Sequence, residues 1–175
     1  MSEHEIAKLP PPPISKSDET FLADGLEFVW GNEVNLNELN DLFHRVGFPQ
    51  RDPLKLQMAL HNTYSTIWVR AARKSRLAKQ GQLLGFARAT SDGALSATIW
   101  DVAVHPAWQR NGLGRAMVER LTASLVTDGI ATITLYAEPG VVGLYEKLGF
   151  VKDPDGVKGL AFQTKKGKHL MSAAR

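Results

Sequence analysis

The sequence predicts a single mixed α/β (α+β) domain, a sheet with helices covering its faces. Two observations carry this. The chain has 175 residues, 43% of them apolar, which suffices for one well-packed core and is short for two. Along it, strand-like stretches and stretches of helical period follow one another in the order β-α-α-β-β-β-α-β-α-β, with no apparent internal repeat.

Each element has a local reason. Residues 1–18 are polar apart from Ile6, Leu9 and Ile14 and contain the run Pro10 to Pro13, which favours extended polyproline II. They are expected to be a disordered tail, with a docking motif for a proline-reading partner as the alternative, and residues 19–175 are expected to be one domain. Leu26 to Trp30 reads as a short strand. Asn35 followed by Glu38 is an Asn variant of the capping box, and Leu36, Leu39, Phe43 and Val46 line one face of the helix it opens. Asp52-Pro53 opens a second helix to about Asn62, with Asp as cap and Pro where its missing N–H costs nothing. Thr66 to Ala72, Gln82 to Thr90 and Ala97 to His105 are strand-like, and the turn signal Ser91-Asp92-Gly93 makes them an antiparallel meander. Residues 112–128 are helical, with Leu113, Met117, Leu121 and Leu125 on one side and Asp128-Gly129 as the stop. Ile130 to Tyr136 is a β-branched, alternating strand. Pro139 opens a helix carrying Val141, Leu144, Tyr145 and Leu148 on one face until Gly149, and Leu160 to Thr164 is a last short strand.

Composition narrows the chemistry. There are 21 Lys plus Arg against 18 Asp plus Glu. Nine of the basic residues lie in two acid-free stretches, Arg70 to Lys79 and Lys165 to Arg175, and setting them aside leaves 12 basic residues against 18 acidic ones. A generalised nucleic-acid-binding surface is therefore not expected. The Arg70 to Lys79 stretch reads as a solvated loop, or as an attractor for a phosphate or an acidic partner. Cysteine is absent, which excludes disulfides, Cys-ligated zinc and a thiol acyl carrier, and no metal is expected. No apolar run approaches the roughly 18 residues of a membrane span, and the start has neither a secretory h-region nor the look of a transit peptide, so no membrane association is expected.

The most informative stretch is Val102-Ala103-Val104-His105-Pro106-Ala107-Trp108-Gln109-Arg110-Asn111-Gly112-Leu113-Gly114-Arg115. A strand ends, a glycine-containing turn follows and a helix begins, so unpaired N–H groups and the positive end of the helix dipole are presented together. Such a place binds phosphate, and Arg110 and Arg115 add positive charge. Taken alone the two glycines are equally a tight turn with ordinary packing. The dinucleotide fingerprint fits poorly, because this turn follows four strands, and the Walker lysine and hydroxyl are missing.

The pattern Val104-x-Pro106-x-x-Gln109-Arg110-x-Gly112-x-Gly114 resembles the acetyl-CoA pyrophosphate loop of the GNAT superfamily of N-acetyltransferases. Gly143-Leu144-Tyr145-Glu146-Lys147-Leu148-Gly149-Phe150 resembles that superfamily's second signature, one helix and one strand further on. Within the superfamily, Thr98-Ile99-Trp100-Asp101-Val102, the stretch Tyr136 to Tyr145 and the stretch Asp153 to Gly159 are similar to the plastid-type serotonin N-acetyltransferases of plants and algae.

The resemblance implies the GNAT acyl-CoA N-acyltransferase fold, with a splayed pair of central parallel strands between which CoA lies. Acetyl-CoA is then the cosubstrate. Backbone groups of Val102, Ala103 and Val104 would hold the pantetheine arm, and Gln109, Arg110, Asn111, Gly112, Leu113, Gly114 and Arg115 would form the pyrophosphate loop. The implied reaction is direct attack of a primary amine in a ternary complex, the amine being an arylalkylamine such as serotonin, tryptamine or 5-methoxytryptamine on the melatonin route. Protein lysines or N-termini are the alternative acceptors, and a non-catalytic acyl-CoA-binding module is the alternative outside enzymes. Tyr145 would be the general acid for the thiolate, or else one more residue of its helix's apolar face. Asp101, in an otherwise apolar strand, is the candidate base or anchor of a cationic substrate, or else a structural carboxylate paired with an arginine such as Arg88. Glu138 shares the base assignment, its alternative being helix capping. Trp100 is the candidate wall for an aromatic amine, or a core residue. Strict alternation puts Trp100 and Asp101 on opposite faces, so both line one site only if a bulge distorts the strand. His105 is assigned no role. A homodimer is possible, and the implied location is the plastid stroma if the subfamily resemblance holds and the cytoplasm otherwise.

Overall fold

The computed structural model describes residues 10–162. The elements are α1 (Asp18–Ala23), β1 (Leu26–Trp30), α2 (Leu36–Arg45), α3 (Pro53–His61), β2 (Ser65–Ala71), β3 (Leu83–Ser91), β4 (Ser96–Val104), α4 (Leu113–Thr127), β5 (Thr132–Leu135) and α5 (Val142–Lys147). The sheet order is β1-β2-β3-β4-β5, antiparallel through β4, with β5 parallel to β4. One core lies between the sheet and α4 with α1, built on Ile67, Val69, Ile99, Met117, Leu121 and Ile130. A second lies on the opposite face, where Leu39, Phe43, Leu56 and Leu60 of α2 and α3 meet Leu83, Phe86 and Ala103. The helical periods of α2 and α4 thus bury their apolar sides against opposite faces of one sheet.

Local chemistry explains the starts of the helices. The Asn35 side chain accepts from the N–H groups of Asn37 and Glu38, and the Asp52 side chain accepts from that of Lys55. Glu38 does not complete a reciprocal capping box. Its carboxylate accepts from the N–H of Leu83 at 2.9 Å and so satisfies the first residue of β3.

Three expectations are corrected. The tail does not extend to residue 18: Ser15 bonds to Glu119, and Ser17 caps α1, a helix absent from the expected order. Residues 1–9 lie outside the described residues. The helix expected from Pro139 divides into a 3-10 turn at Pro139–Val141 and α5. The expected strand at Leu160 to Thr164 is not formed at 160–162, where Leu160 and Phe162 are exposed, and its end lies outside the described residues. In the basic stretch, Arg70 pairs with Glu27 at 2.7 Å, and Arg73 donates to the carbonyls of Leu22 and Ala23, closing the C-terminus of α1.

Arg120 is the main fastener of α1. It is 7% exposed, bonds to the Asp18 carboxylate and to the carbonyls of Lys16 and Ala116, and lies 4.1 Å from the Phe28 ring centroid. Replacing Arg120 by Ala will lower stability by about 2–3 kcal/mol, since it removes a cation–π contact and several charge-assisted bonds while the exposed Asp18 regains water. Chemical denaturation will register this as a lower midpoint with an unchanged slope.

Candidate active site

The parallel pairing of β4 with β5 ends at Ile99 opposite Leu135, while β4 runs on to Val104. The two chains therefore separate at residues 100–104 and 136–139, leaving one edge of β4 without a strand partner there. Val102, Ala103 and Val104 are all buried, their side chains divided between the two cores of the sheet. One of their backbone groups is engaged locally, because the Gln109 side-chain amide donates to the Val104 carbonyl at 3.0 Å. This ties the following loop to the strand end.

A bulge sits at the point of separation. Phe86 pairs with Ala103 but Arg88 pairs with Trp100, so Asp101 and Val102 together stand opposite Ala87, and Asp101 has φ 54°. The burial phase changes accordingly: Ala97 and Ile99 share the α4-side core not with residue 101 but with Val102 and Val104. The distortion required to bring Trp100 and Asp101 to one face is thus present. A positive φ at a non-glycine residue is sparsely populated backbone, held here by what surrounds it.

That surrounding is a network of charge. Asp101 accepts from Nε of Arg88 at 2.6 Å and lies 3.8 Å from an Arg51 guanidinium nitrogen. Arg88 also donates to the Thr63 hydroxyl, and the Arg51 backbone is held on both sides by Asn40. Asp101 is therefore a carboxylate paired with arginine. Its isolated position in an apolar strand signalled that a partner was needed, and Arg88 was legible as one, whereas Arg51 and Thr63 arrive from loops that no local pattern connects to it. Beside it, the Trp100 indole N–H donates to the Thr90 hydroxyl, and its ring stacks on Tyr136 with centroids 5.3 Å apart. Trp100 is thus half-buried at the mouth of the gap.

The loop after β4 is built to expose N–H groups. Pro106–Trp108 is a 3-10 turn capped by His105, whose Nδ1 accepts from Ala107, and burial, with the Arg45 charge nearby, holds the His105 imidazole below its usual range. Arg110 has φ 64° and Gly112, the residue before α4, has φ 77° without any side-chain cap. Leu113 is buried in the core beneath the helix start. Gly114 lies where a Cβ would approach Val104 Cγ2 at 3.4 Å. Arg115 bonds through Nε to Glu119 at 2.7 Å. Uncapped N–H groups at the start of a four-turn helix, beside Arg110 and Arg115, are the donor set that a pyrophosphate requires. Gly112→Ala meets no atom within 4 Å, so its cost is conformational, and it is expected to weaken CoA binding about ten-fold as the loop turns away from left-handed backbone. Equilibrium dialysis with CoA will measure this.

Tyr145 and Glu138 come from the other wall. A groove of about 750 Å³ between β5 and α5 is lined by Thr134, Tyr136, Val142, Tyr145, Leu148 and Phe150, while Val102 to Val104 and the loop after β4 are not part of its lining. Tyr145 is 5% exposed and meets Phe150 edge to face, and its hydroxyl makes no hydrogen bond among the described residues. Burial pushes its phenol up to about 12. Glu138 is half-buried before Pro139, and its side chain does not cap the turn there.

The sheet thus carries a parallel pair that parts beyond Ile99, a bulge on one of its strands and a glycine turn into an uncapped helix start. The acetyltransferase (GNAT) family matches residues 34–150, and the chain belongs to that family. It is 46% identical over 153 residues to GCN5-related N-acetyltransferase 1, chloroplastic, of Arabidopsis thaliana, covering 87% of this chain and 75% of that one. It is 45% identical over 129 residues to Serotonin N-acetyltransferase 2, chloroplastic, of Oryza sativa subsp. japonica, covering 74% of this chain and 62% of that one. Among solved structures, a probable acetyltransferase from meticillin-resistant Staphylococcus aureus superposes with a TM-score of 0.66 at 18% identity, over 79% of this chain and 99% of that one, which speaks to fold.

Proposed function

We propose that this chain transfers the acetyl group of acetyl-CoA to a primary amine by direct attack, and that the amine is an arylalkylamine of the serotonin, tryptamine or 5-methoxytryptamine type. The observation that carries the acceptor class is the Trp100–Tyr136 stack at the mouth of the gap, a pair of aromatic side chains where the strands separate. The 45% identity to a rice protein named for serotonin supports the same reading. The chloroplastic names of both plant relatives support residence in the plastid.

Acetyl-CoA, when bound, supplies the acyl group as a thioester. The free edge of β4 at Val102 to Val104 binds the pantetheine arm, and its N–H groups stabilise the developing oxyanion. The loop from Gln109 to Arg115 holds the pyrophosphate. An alkylamine has a pKa near ~10 and is protonated at neutral pH, so a base must take its proton before attack. Glu138 is assigned this step, directly or through water. Asp101, which already accepts from Arg88 and faces the Arg51 charge, orients Arg88 and the Trp100 face instead. Tyr145 donates its O–H to the leaving sulfur. Because a thiol has a pKa of about 8.5, a phenol near 12 keeps its proton throughout the working range and acts chiefly by hydrogen bonding to the thiolate.

A thiol-release assay with acetyl-CoA and serotonin tests this reading. Turnover of serotonin or tryptamine, with lysine peptides and free N-termini at least ten-fold slower in kcat/KM, is the expected result. Tight CoA binding with turnover only on peptides would move the acceptor to proteins, and binding without turnover on either would leave an acyl-CoA-binding module.

A further inference from the structure

Two buried charges on α4, Glu119 and Arg120, face the N-terminal segment rather than the acetyl-transfer gap. Glu119 is 5% exposed. Its Oε2 accepts from both the N–H and the hydroxyl of Ser15, at 3.0 and 2.8 Å, and its Oε1 accepts from Nε of Arg115 at 2.7 Å. Arg120 holds the same segment through Lys16 and Asp18. Burial pushes the Glu119 carboxyl up, but the bonds from Arg115 and Ser15 and the Arg115 charge more than offset it, so the group lies below its usual range and is ionised at neutral pH.

Arg115 stands in the first turn of α4, next to the N–H groups assigned to the pyrophosphate, with its side chain 42% exposed. It makes no other hydrogen bond or ion pair among the described residues. Glu119 therefore occupies Nε and leaves both terminal nitrogens for an anion. An arginine left to itself loses rotamer freedom when it binds phosphate, and one already tethered at Nε has surrendered part of that freedom beforehand.

We propose that Glu119, clamped by Ser15, is a positioning residue that pre-orients Arg115 toward the CoA pyrophosphate, so that docking of residues 15–18 on α4 sets cofactor affinity. This rests on the proposed placement of the pyrophosphate at the start of α4. The sign of the effect separates positioning from simple charge. Removing a carboxylate near an anion site tightens anion binding on Coulombic grounds, whereas removing a tether weakens it.

The test is the dissociation constant of CoA, read by calorimetry on the full chain without any amine, against that of pantetheine, which lacks the pyrophosphate. Glu119→Gln is expected to weaken CoA about five- to ten-fold and leave pantetheine unchanged, with Ser15→Ala giving a smaller loss of about two- to three-fold. In an Arg115→Gln background, neither substitution is expected to weaken CoA further. Tighter or unchanged CoA binding in Glu119→Gln overturns the proposal. So does an equal loss on pantetheine, which marks a general structural effect, and so does a loss that persists without Arg115. If Glu119→Gln does not fold, Ser15→Ala carries the same cycle. Should Arg115→Gln alone leave CoA binding intact, Arg115 does not serve the pyrophosphate and the proposal is overturned, while the placement on the backbone N–H groups stands. The acceptor assignment is untouched by any of these outcomes, since no amine enters the measurement.

Discussion

Replacing Tyr145 by Phe will lower kcat for acetyl transfer by about 10²-fold or more while the dissociation constant of CoA changes less than about three-fold. The Tyr145 hydroxyl makes no hydrogen bond among the described residues, so its removal leaves no partner unsatisfied, and stability should move by less than about 0.5 kcal/mol. The ring itself, packed on Phe150, is retained in the variant. What is lost is a donor at the leaving sulfur. With the phenol pushed up to about 12, the basic limb of the wild-type pH profile below pH 10 cannot come from Tyr145. It belongs to the amine, the base or the thiol. The native state also holds the phenolic proton more tightly than the unfolded chain does. Stability is therefore unaffected below the ordinary value of 10 and declines as pH rises from there through about 12. A stopped thiol-release trace in which Tyr145→Phe retains wild-type kcat would remove the donor role and leave Tyr145 as a core residue of α5.

How much of this was legible before the structure depends on whether the determinants are local. The cap at Asn35, the Asp52-Pro53 start and the period of α4 are short-range signals, and all three appear where the residues place them. The loop from Gln109 to Arg115 was readable for the same reason, as a strand end, a glycine with left-handed backbone and a helix start in sequence. Helix α1 was not, because six residues are too few to repay helix nucleation on their own and are held by Arg120, about a hundred positions away, and by Arg73. The β4 bulge was deduced as a requirement of Trp100 and Asp101 sharing a site. Its cause, the misfit of two residues against Ala87, is a property of pairing that one strand does not reveal.

Replacing Asp101 by Asn tests the remaining assignment, because its two readings predict different observables. In the structure Asp101 sits between Arg88 and Arg51, with the three side chains 17%, 18% and 23% exposed. Asn retains the shape and one acceptor but leaves two guanidinium groups without a counter-charge in a half-buried place. Breaking a fully buried pair costs about 3–5 kcal/mol, and partial exposure here reduces this to about 2. For a chain of this length the melting temperature should fall by about 4–8 °C. The Trp100 face rests on the same bulge, so KM for the amine should rise several-fold while kcat falls less than ten-fold. Were Asp101 the base itself, kcat would fall about 10²-fold or more on top of the same loss of stability. Adding Arg88→Met to Asp101→Asn removes one of the stranded charges and should recover part of the lost stability. A base cannot be restored by deleting its neighbour, so recovery of the melting temperature and of the amine KM in the double variant would settle Asp101 as the organiser of the acceptor site.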